Sequence, residues 1–424
     1  MGNEEATTVR NLSSDGVTTI ETAQRSVTDW SAELSICDLP WVIYNASLYQ
    51  EVLERLPQVF AWEDSNEVFA ILQTLQRSTA LRRWCSFLQH VRTYEPVLAQ
   101  RITETFDALP AQGKLRVLTA PETYRRIALM KSEPGLSIML ICNSLNAESV
   151  LYGLGPAKGG YCTALGDAYY VESAKNDNGQ CDCNIQVLKA PILIDELPID
   201  YFSPNVQNAK KTSGPGPAPS DFGDYTNEQI QETTSRLQDA FSRIAKTSVV
   251  AAQLIRDFVK VIIPLKVAEG YGSTSQPRFP GRVLLRGIEN SPPGVLASVL
   301  VHESMHQLMY VLEFSGEFVM PLKGDEKHTA TSLWTGRDLA LHSFIHACFV
   351  WYGLVQFWTL PGSDDVFEKN EQNRELARAL SGFKQQNPVD FLKPHLGKLR
   401  SDVVAVAGTL QARLGDAVTT RAVA

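Results

Sequence analysis

Apolar residues recur at helical spacing through the first long hydrophobic part of the chain. Between positions 48 and 109 they stand three or four residues apart, as Leu53, Leu56 and Val59 do, and long stretches contain no glycine. This pattern predicts a helical N-terminal region. Between positions 136 and 202 it gives way to short β-prone runs, separated by Gly, Asn and Asp, at residues 137–141, 169–171 and 185–188. These runs predict a small β-sheet.

A segment rich in proline and glycine, residues 213–219, cannot hold a regular element, because proline lacks an amide donor and glycine is conformationally loose. Residues 204–226 are therefore predicted to form a linker or surface loop. Beyond it the pattern predicts helices at residues 227–246 and 248–263, a loop at 271–281, a short strand at Arg282–Arg286, and helices again from residue 364.

These elements predict a mainly α protein with a small β-sheet, an α+β fold, whose metal site lies on a buried helix pair. The predicted organisation is a flexible tail at residues 1–29, a helical N-terminal region with a small β-containing segment at 30–203, the linker or loop at 204–226, a metal-binding catalytic core at 227–362 and a C-terminal helical region at 363–424. The tail is polar and rich in Thr, Ser and acidic residues, a composition that favours flexibility.

Composition narrows the class of protein. The chain has 424 residues, of which 44% are hydrophobic, so it can bury a large core. A formal charge of -8 argues against a nucleic-acid partner, which needs a concentrated positive field. No secretory signal is recognisable and no apolar run is long enough for a bilayer, so we expect a soluble cytoplasmic protein without a membrane partner. Seven cysteines, an odd number, fit a reducing compartment, and the pair Cys181 and Cys183 lacks the second pair of a structural zinc site.

The motif His302-Glu303-Ser304-Met305-His306 carries the candidate chemistry. Residues four apart lie on one face of a helix, so the two histidines can present ring nitrogens to the same ion. Apolar residues surround the motif on both sides, which predicts a buried helix and a dry site. Five of the seven histidines fall between positions 302 and 346, and such clustering favours metal binding.

The spacing of residues in the sequence does not by itself identify the third metal ligand. Met309 and Leu312 stand where a metzincin has its glycine and third histidine, so that class is excluded. Glu326 has the separation of a gluzincin carboxylate, although its surroundings do not resemble that motif. His342 and His346 stand four apart on a second predicted helix, at residues 339–358. Two nitrogens with a third nitrogen or a carboxylate suit both zinc and iron.

Three segments together resemble a known family. The block at residues 299–308, the turn Trp334-Thr335-Gly336-Arg337 and the segment at residues 344–350 are similar to the 2-oxoglutarate-dependent His-Glu-x-x-His peptide hydroxylases of modified-peptide biosynthesis. The likeness also takes in residues 280–285 and, more loosely, residues 118–122. It covers residues 280–352 well and most of residues 115–360 thinly.

The resemblance implies an iron(II) enzyme that couples oxidation of 2-oxoglutarate to β-hydroxylation of a side chain in a peptide substrate, such as a precursor peptide. It implies that His302, His306 and His346 are the metal ligands. Glu303 is implied to be either a ligand or a hydrogen-bond acceptor behind the ligands. On an ideal helix it points about 100° away from His302, which favours the second role.

The co-substrate needs a cation for its distal carboxylate, and the planar guanidinium of arginine pairs with carboxylates through two hydrogen bonds. Arg337 is the first candidate. Arg282 and Arg286, at the two ends of a predicted strand, are further candidates, and Ser273 in the preceding loop is a possible contact for the co-substrate. The family pattern has proline after this arginine, where this chain has Asp338.

Two functions follow from these residues. The first is an iron(II) and 2-oxoglutarate-dependent dioxygenase that hydroxylates a peptide. The alternative is a zinc metallopeptidase, with Glu303 as general base toward a zinc-bound water and Glu326 or His346 completing the site. The short motif favours the peptidase, and the wider block favours the hydroxylase. A non-enzymatic metal-stabilised module is disfavoured, because structural sites usually close with four ligands such as cysteines and only Cys348 lies nearby.

Overall fold

Helices dominate the fold, as the hydrophobic pattern predicts. The computed structural model describes residues 46–63, 65–172, 185–212, 222–320 and 329–421. The predicted tail, the pair Cys181 and Cys183, the proline-rich segment at residues 213–219 and Glu326 lie outside the described residues. In chain order the described α-helices are α1 Ala46–Val59, α2 Asn66–Tyr94, α3 Pro96–Ala108, α4 Ala111–Thr119, α5 Pro121–Ala128, α6 Pro134–Leu151, α7 Pro204–Thr212, α8 Asn227–Thr247, α9 Val249–Phe258, α10 Pro293–Glu313, α11 Leu341–Thr359, α12 Pro361–Val366, α13 Lys369–Gln385, α14 Pro388–Phe391 and α15 Ser401–Arg421.

The strands form small sheets between these helices. They are β1 Tyr161–Cys162, β2 Ala168–Glu172, β3 Ile185–Lys189, β4 Ile192–Ile194, β5 Leu197–Pro198, β6 Val261–Leu265, β7 Gly272–Ser275, β8 Arg282–Arg286, β9 Thr329–Thr331 and β10 Asp338–Ala340. Strands β1, β2 and β3 form an antiparallel sheet, and β4 pairs with β5 and β9 with β10 as antiparallel ribbons. The fold is therefore mainly α with small sheets, in agreement with the predicted α+β class.

The sheet that matters for the site has the order β6-β8-β7. Strand β8 runs parallel to β6 and antiparallel to β7, so that Ser273 lies opposite Leu285 and Ser275 opposite Val283. The amide of Gly281, where φ is +93°, donates to the Oε1 atom of Gln307 over 2.6 Å. This hydrogen bond joins the start of β8 to the side of helix α10.

Helices α10 and α11 pack against each other at the centre of the hydrophobic core. Gly353 permits the contact, since a Cβ atom at this position would overlap the sulfur of Met305. Near the C-terminal end of α11, the indole nitrogen of Trp358 donates to Oγ of Ser298 in α10 over 2.9 Å. One continuous core joins residues from Tyr49 in α1 to Leu414 in α15. Residues from both the first and the last described helices therefore pack in the same core as α10 and α11, the two helices that carry the clustered histidines.

Four local predictions are corrected. Residues 137–141 lie in helix α6 and not in a strand, because Pro134 occupies the first turn and the Leu, Met and Ile side chains that follow also suit a helix buried on one side. The helix predicted at residues 248–263 ends at Phe258, and its fully buried continuation is strand β6. A buried apolar run has no periodicity that separates helix from strand.

The other two corrections concern predicted loops. Residues 204–212, predicted as part of a linker, form helix α7, which packs against β6. Residues 272–275, predicted as loop, form strand β7. Gly272 disfavours a strand and the two serines do not favour one, so pairing with β8 is what keeps this segment extended. The predicted strand Arg282–Arg286 and the runs at residues 169–171 and 185–188 are confirmed as β8, β2 and β3. No helix of the described ranges has an apolar run long enough to cross a membrane.

Candidate metal centre

One face of helix α10 carries a stripe of polar side chains. His302, His306, Tyr310 and Glu313 follow one another along about three turns, because the helix rotates by about 100° per residue and these positions return to one face. The rest of the helix is buried, which fixes its rotation about its own axis. The stripe therefore faces a single direction, toward helix α11.

Helix α11 supplies two more histidines opposite that stripe. His342 and His346 stand one turn apart in its first half, directly after the hairpin formed by β9 and β10. The ring of His346 lies 5.5 Å from that of His306, measured between centroids, and is inclined by 21° to it. Its side chain is 1% exposed. The ring of His302 lies 4.9 Å from that of His306. These ring contacts join His302 to His306 and His306 to His346, but among the described residues the three predicted ligands do not form a group whose ligand atoms all lie within 4.8 Å of one another.

Glu313 joins the histidines and was not anticipated from the sequence. Its Oε2 atom lies 2.7 Å from His342 Nε2 and 2.9 Å from His346 Nε2. The potential ligand atoms of Glu313, His342 and His346 all lie within 4.8 Å of one another, and among the described residues this group of three can hold a metal ion. The sequence did indicate that Glu313 lies on the same helical face as His302, since the two positions are about three turns apart. Many surface glutamates, however, lie on one face with a histidine without binding a metal ion.

Two ligand sets therefore overlap at His346. The Nδ1 atoms of His306 and His346 lie 3.3 Å apart, which is long for a hydrogen bond but fits two nitrogens bound to one ion at about 2.0–2.1 Å. The contacts of Glu313, by contrast, have the lengths of charge-assisted hydrogen bonds. This geometry fits an ion next to His306 and His346, with Glu313 accepting a hydrogen bond from the other nitrogen of the His346 ring. Metal-binding histidines commonly have such a carboxylate partner.

The protonation of these groups suits metal binding. Burial lowers the pKa of His302 to about 3 and that of His306 well below its usual value, with the neighbouring histidines adding to the second shift. Burial also lowers the pKa of His346, although Glu313 opposes this. Burial alone would raise the pKa of Glu313, but His346 and His342 outweigh it and lower that pKa. The buried imidazoles are therefore neutral beside an ionised carboxylate, the forms that bind metal ions.

Glu303 faces strand β7. Its carboxylate accepts a hydrogen bond from Ser275 Oγ over 2.5 Å and another from the hydroxyl of Ser273. Burial raises the pKa of Glu303, while the two serines and Arg286 oppose the shift. Tyr310 shares the same serine, Ser275, as a hydrogen-bond partner. The position of Glu303 agrees with a role behind the metal ligands, and Ser273 lies in the site because it contacts Glu303.

Arg286 interacts electrostatically with both Glu303 and Arg337. Burial lowers the pKa of Arg286, the positive charge of Arg337 lowers it further, and Glu303 opposes both effects. Arg337 is exposed, but its turn is fixed by Trp334, whose indole nitrogen donates to the carbonyl of Ala379 over 2.9 Å. Arg286 thus interacts with one carboxylate, that of Glu303, and with one further cation, that of Arg337.

Aromatic contacts connect the turn at Trp334-Thr335-Gly336-Arg337 to His302. The ring of Trp334 stacks on Trp351 with centroids 5.8 Å apart, and the ring of Trp351 meets His302 edge-on at 5.4 Å. The guanidinium of Arg378 lies 5.5 Å from the Trp351 ring on the outer side. Trp351 thus forms a wall between His302 and the Trp334–Arg337 turn, and it too was not singled out from the sequence.

Arg282 is placed differently from the other two candidate arginines. Its side chain is 1% exposed, its Nη1 atom lies 3.0 Å from Glu122 Oε1, and its guanidinium stacks 3.4 Å from the centre of the Phe279 ring. Its charge is therefore already matched by Glu122. Of the two arginines at the ends of β8, it is Arg286 that interacts with Glu303 and Arg337.

No protein-family model matches the chain, and no curated protein has significant sequence similarity to it. The chemistry of the metal centre is therefore inferred from its own residues. They can hold one divalent ion in a largely buried site, and helix α10 also carries the hydrogen-bonded carboxylate of Glu303, which interacts with Arg286.

Proposed function

We propose that this protein is an iron(II) and 2-oxoglutarate-dependent dioxygenase that hydroxylates the β-carbon of a side chain in a peptide. His302, His306 and His346 would hold the iron, and Glu313 would hold the ring of His346 in place through its second nitrogen. Bound ferrous iron would supply the oxidising chemistry, which is coupled to the conversion of 2-oxoglutarate to succinate. The donor set fits this metal, since imidazole nitrogens in a site with open positions suit iron.

The observation that carries the proposal is Arg286, which lies opposite Gly272 at the start of β7 and interacts with Glu303 and with a second cation, Arg337. Two guanidinium groups that repel each other favour the binding of an anion, because a bound carboxylate relieves the repulsion and accepts two hydrogen bonds from a planar donor. A dicarboxylate can bind the iron at one end and these arginines at the other. Simple metal-dependent peptide hydrolysis has no comparable need for an anion site.

Glu303 and the serines of β7 organise this part of the site. The carboxylate accepts hydrogen bonds from Ser273 and Ser275 and attracts the positive charge of Arg286. Trp351 and Tyr310 add aromatic surface around the histidines, which excludes water from the site. Exclusion of water strengthens the attraction between the arginines and an anionic co-substrate.

The experiment that tests the proposal is anaerobic reconstitution with ferrous iron, followed by measurement of succinate formed from 2-oxoglutarate after air is admitted with candidate peptides. We expect succinate formation that requires iron and is lost in His306→Ala. The matched control His90→Ala changes a histidine in helix α2, outside the metal centre, and should retain full activity. If 2-oxoglutarate neither binds nor turns over in the iron-loaded protein, the proposal is wrong.

The second candidate function is a zinc metallopeptidase, and the raised pKa of Glu303 favours it, because a general base works best when its pKa approaches the operating pH. Glu303→Gln separates the two functions. Loss of a general base lowers peptide cleavage by about a hundredfold or more while zinc stays bound. In the dioxygenase the glutamine still accepts a hydrogen bond from Ser275, so we expect succinate formation to fall by about tenfold or less.

A further inference from the structure

A cavity separate from the metal centre lies between helices α2 and α4, the turn that joins β4 to β5, and the segment from the end of α9 to the start of β6. Its volume is about 350 Å³, within the range of small-molecule binding sites. None of its described lining residues belongs to α10, α11 or β7, the elements that form the metal centre. Helix α2 contributes Gln73, Gln76 and Arg77, which fall on one face because they stand three and four residues apart.

Two partly buried cations, Arg77 and Lys260, line this cavity. The Nζ atom of Lys260 donates to the backbone carbonyl of Asp257 over 2.6 Å, and the Nη2 atom of Arg77 donates to Gln73 Oε1 over 3.4 Å. Both acceptors are neutral groups. Neither cation forms an ion pair with a carboxylate of the described residues. Their charges are therefore available to a ligand in the cavity.

The charge balance around these two cations is positive. Burial lowers the pKa of Lys260 to about 8 against the opposing charge of Asp257, and the charge of Arg77 lowers it further. Burial likewise lowers the pKa of Arg77, and Asp257 again opposes the shift. The carboxylate of Asp257 thus acts on both cations, and its single negative charge cannot neutralise two positive charges. In the described part of the cavity, one positive charge therefore remains without a counterion.

The remaining charged residues of the cavity have partners of their own or face solvent. Arg116 lies 3.1 Å from Glu148 and 2.6 Å from Asp167, so its charge is matched by carboxylates. The other lining charges are exposed, where water screens them, and they are Glu196 and the ion pair of Asp195 with Arg256, 3.4 Å apart. These groups do not supply the missing counterion of Arg77 and Lys260.

Gln76 presents an unpartnered amide to the cavity. The residue is 5% exposed and lines the cavity, and its side chain has no hydrogen-bond partner among the described residues. A buried amide without a partner costs free energy, so buried polar groups almost always have one. A ligand that exchanges a hydrogen bond with Gln76 removes this cost. The cavity therefore combines a place for one negative charge with a place for a neutral polar group.

We propose that this cavity binds a small monocarboxylate that also carries an amide or hydroxyl group. The carboxylate binds Arg77 and Lys260, and the neutral group hydrogen-bonds to Gln76. One negative charge balances the positive surplus, whereas a phosphate with two charges would leave a negative excess beside Asp257. The proposal is independent of the dioxygenase function, because the cavity and the metal centre have no residue in common.

The test is a titration of the full-length, metal-free protein with small ligands, followed by ligand-observed NMR. N-acetylglycine carries both groups, propionate lacks the amide, and N-acetylglycinamide lacks the charge. We expect N-acetylglycine to bind about three- to tenfold more tightly than propionate, the effect of one neutral hydrogen bond, and at least about tenfold more tightly than N-acetylglycinamide. Inorganic phosphate that binds more tightly than N-acetylglycine would overturn the proposal, as would the absence of binding by all of these ligands.

Substitutions in the cavity locate the bound carboxylate. Arg77→Gln and Lys260→Met should each weaken N-acetylglycine binding by about tenfold or more, because each removes a charged hydrogen-bond donor. The matched controls Arg92→Gln, at an exposed position of α2, and Lys246→Met, at an exposed position of α8, should leave the affinity unchanged. Equal effects of the cavity and control variants contradict the proposal.

Gln76→Leu tests the neutral group without altering a charge, and it keeps the test decisive if the charge variants fail to fold. This variant should bind propionate as the parent protein does but lose the preference for N-acetylglycine. Arg286→Ala, in the metal centre, should bind N-acetylglycine with unchanged affinity. Loss of binding in Arg286→Ala together with parent-like binding in Arg77→Gln would place the carboxylate at the metal centre and contradict the proposal.

Discussion

The Nδ1 atom of His306 lies 3.3 Å from the Nδ1 atom of His346, although the two residues are separated by 40 positions in the chain and lie on different helices. This contact joins the His-Glu-x-x-His motif to the second histidine helix. The opposite nitrogen of His346 faces Glu313. His346 is therefore the residue that the two overlapping ligand sets have in common.

Replacement of the two histidines of α11 should have unequal effects on metal binding. We expect His346→Ala to weaken metal affinity by more than about a hundredfold, because a ligand is lost, and His342→Ala by about tenfold or less, because only a contact of Glu313 is lost. Cobalt(II) titration followed by visible absorption measures both affinities. A severe loss in His342→Ala together with a harmless His302→Ala would place the ion at Glu313, His342 and His346 instead.

Glu313→Gln should weaken metal binding without removing a ligand. The amide still accepts a hydrogen bond through its oxygen but no longer carries the charge that raises the basicity of His346, so we expect a loss of about ten- to a hundredfold. The visible spectrum of the cobalt(II) protein should shift, a change that a purely structural role would not produce. Glu232→Gln, at an exposed position in α8, serves as the control. An unchanged spectrum and affinity would show that Glu313 does not act on His346.

The two arginines of the site should differ in their contribution to co-substrate binding. Arg286 is half-buried, so we expect Arg286→Ala to weaken 2-oxoglutarate binding by about ten- to a hundredfold. Arg337 is exposed, so Arg337→Ala should cost about two- to fivefold. Isothermal titration calorimetry of the manganese(II) protein measures both, and metal affinity should stay constant. Arg374→Ala, at an exposed arginine of α13, controls for the loss of one positive charge. Unchanged affinity in both site variants would remove the main support for the dioxygenase.

Stability should fall with rising pH because of Asp200, far from the histidines in sequence and fully buried. Burial raises its pKa from 3.8 to about 7, although Ser203 and the amide of Phe202 donate hydrogen bonds to it. Between these two pKa values the unfolded chain releases a proton that the folded protein retains, so ionisation favours unfolding. The penalty grows to about 4 kcal/mol, since about 3 pH units correspond to roughly that free energy.

Urea unfolding of the parent protein and of Asp200→Asn over a pH series tests this prediction. The variant is neutral at every pH, so the parent should lose stability relative to it as the pH rises toward 7 and should change no further above that value. Asp365→Asn removes an exposed carboxyl group and serves as the control. Parallel stability curves for the parent protein and Asp200→Asn would show that Asp200 ionises normally in the folded state.

Much of the fold could be predicted because the decisive signals are local. The helical spacing around Leu53 and the proline before α10 give the helices, and the alternation of strand-prone runs with Gly and Asn gives β2 and β3. Residues 137–141 were mispredicted as strand, since short apolar runs suit either element. Strand β7 was missed because its four residues gain their extended conformation only from pairing with β8.

The sequence by itself determined the chemical inventory of the site: the spacing of His302 and His306, the second pair His342 and His346, and the direction of Glu303 on its helix. These follow from the fixed rotation of the α-helix, which depends on no distant residue. Only the tertiary structure decided which groups meet across elements. The packing of α10 on α11 brings Glu313 to His346, and the pairing of β8 fixes Arg282 on Glu122 and Arg286 beside Glu303. Such contacts depend on the relative placement of whole elements, which the core as a whole determines and no short segment encodes.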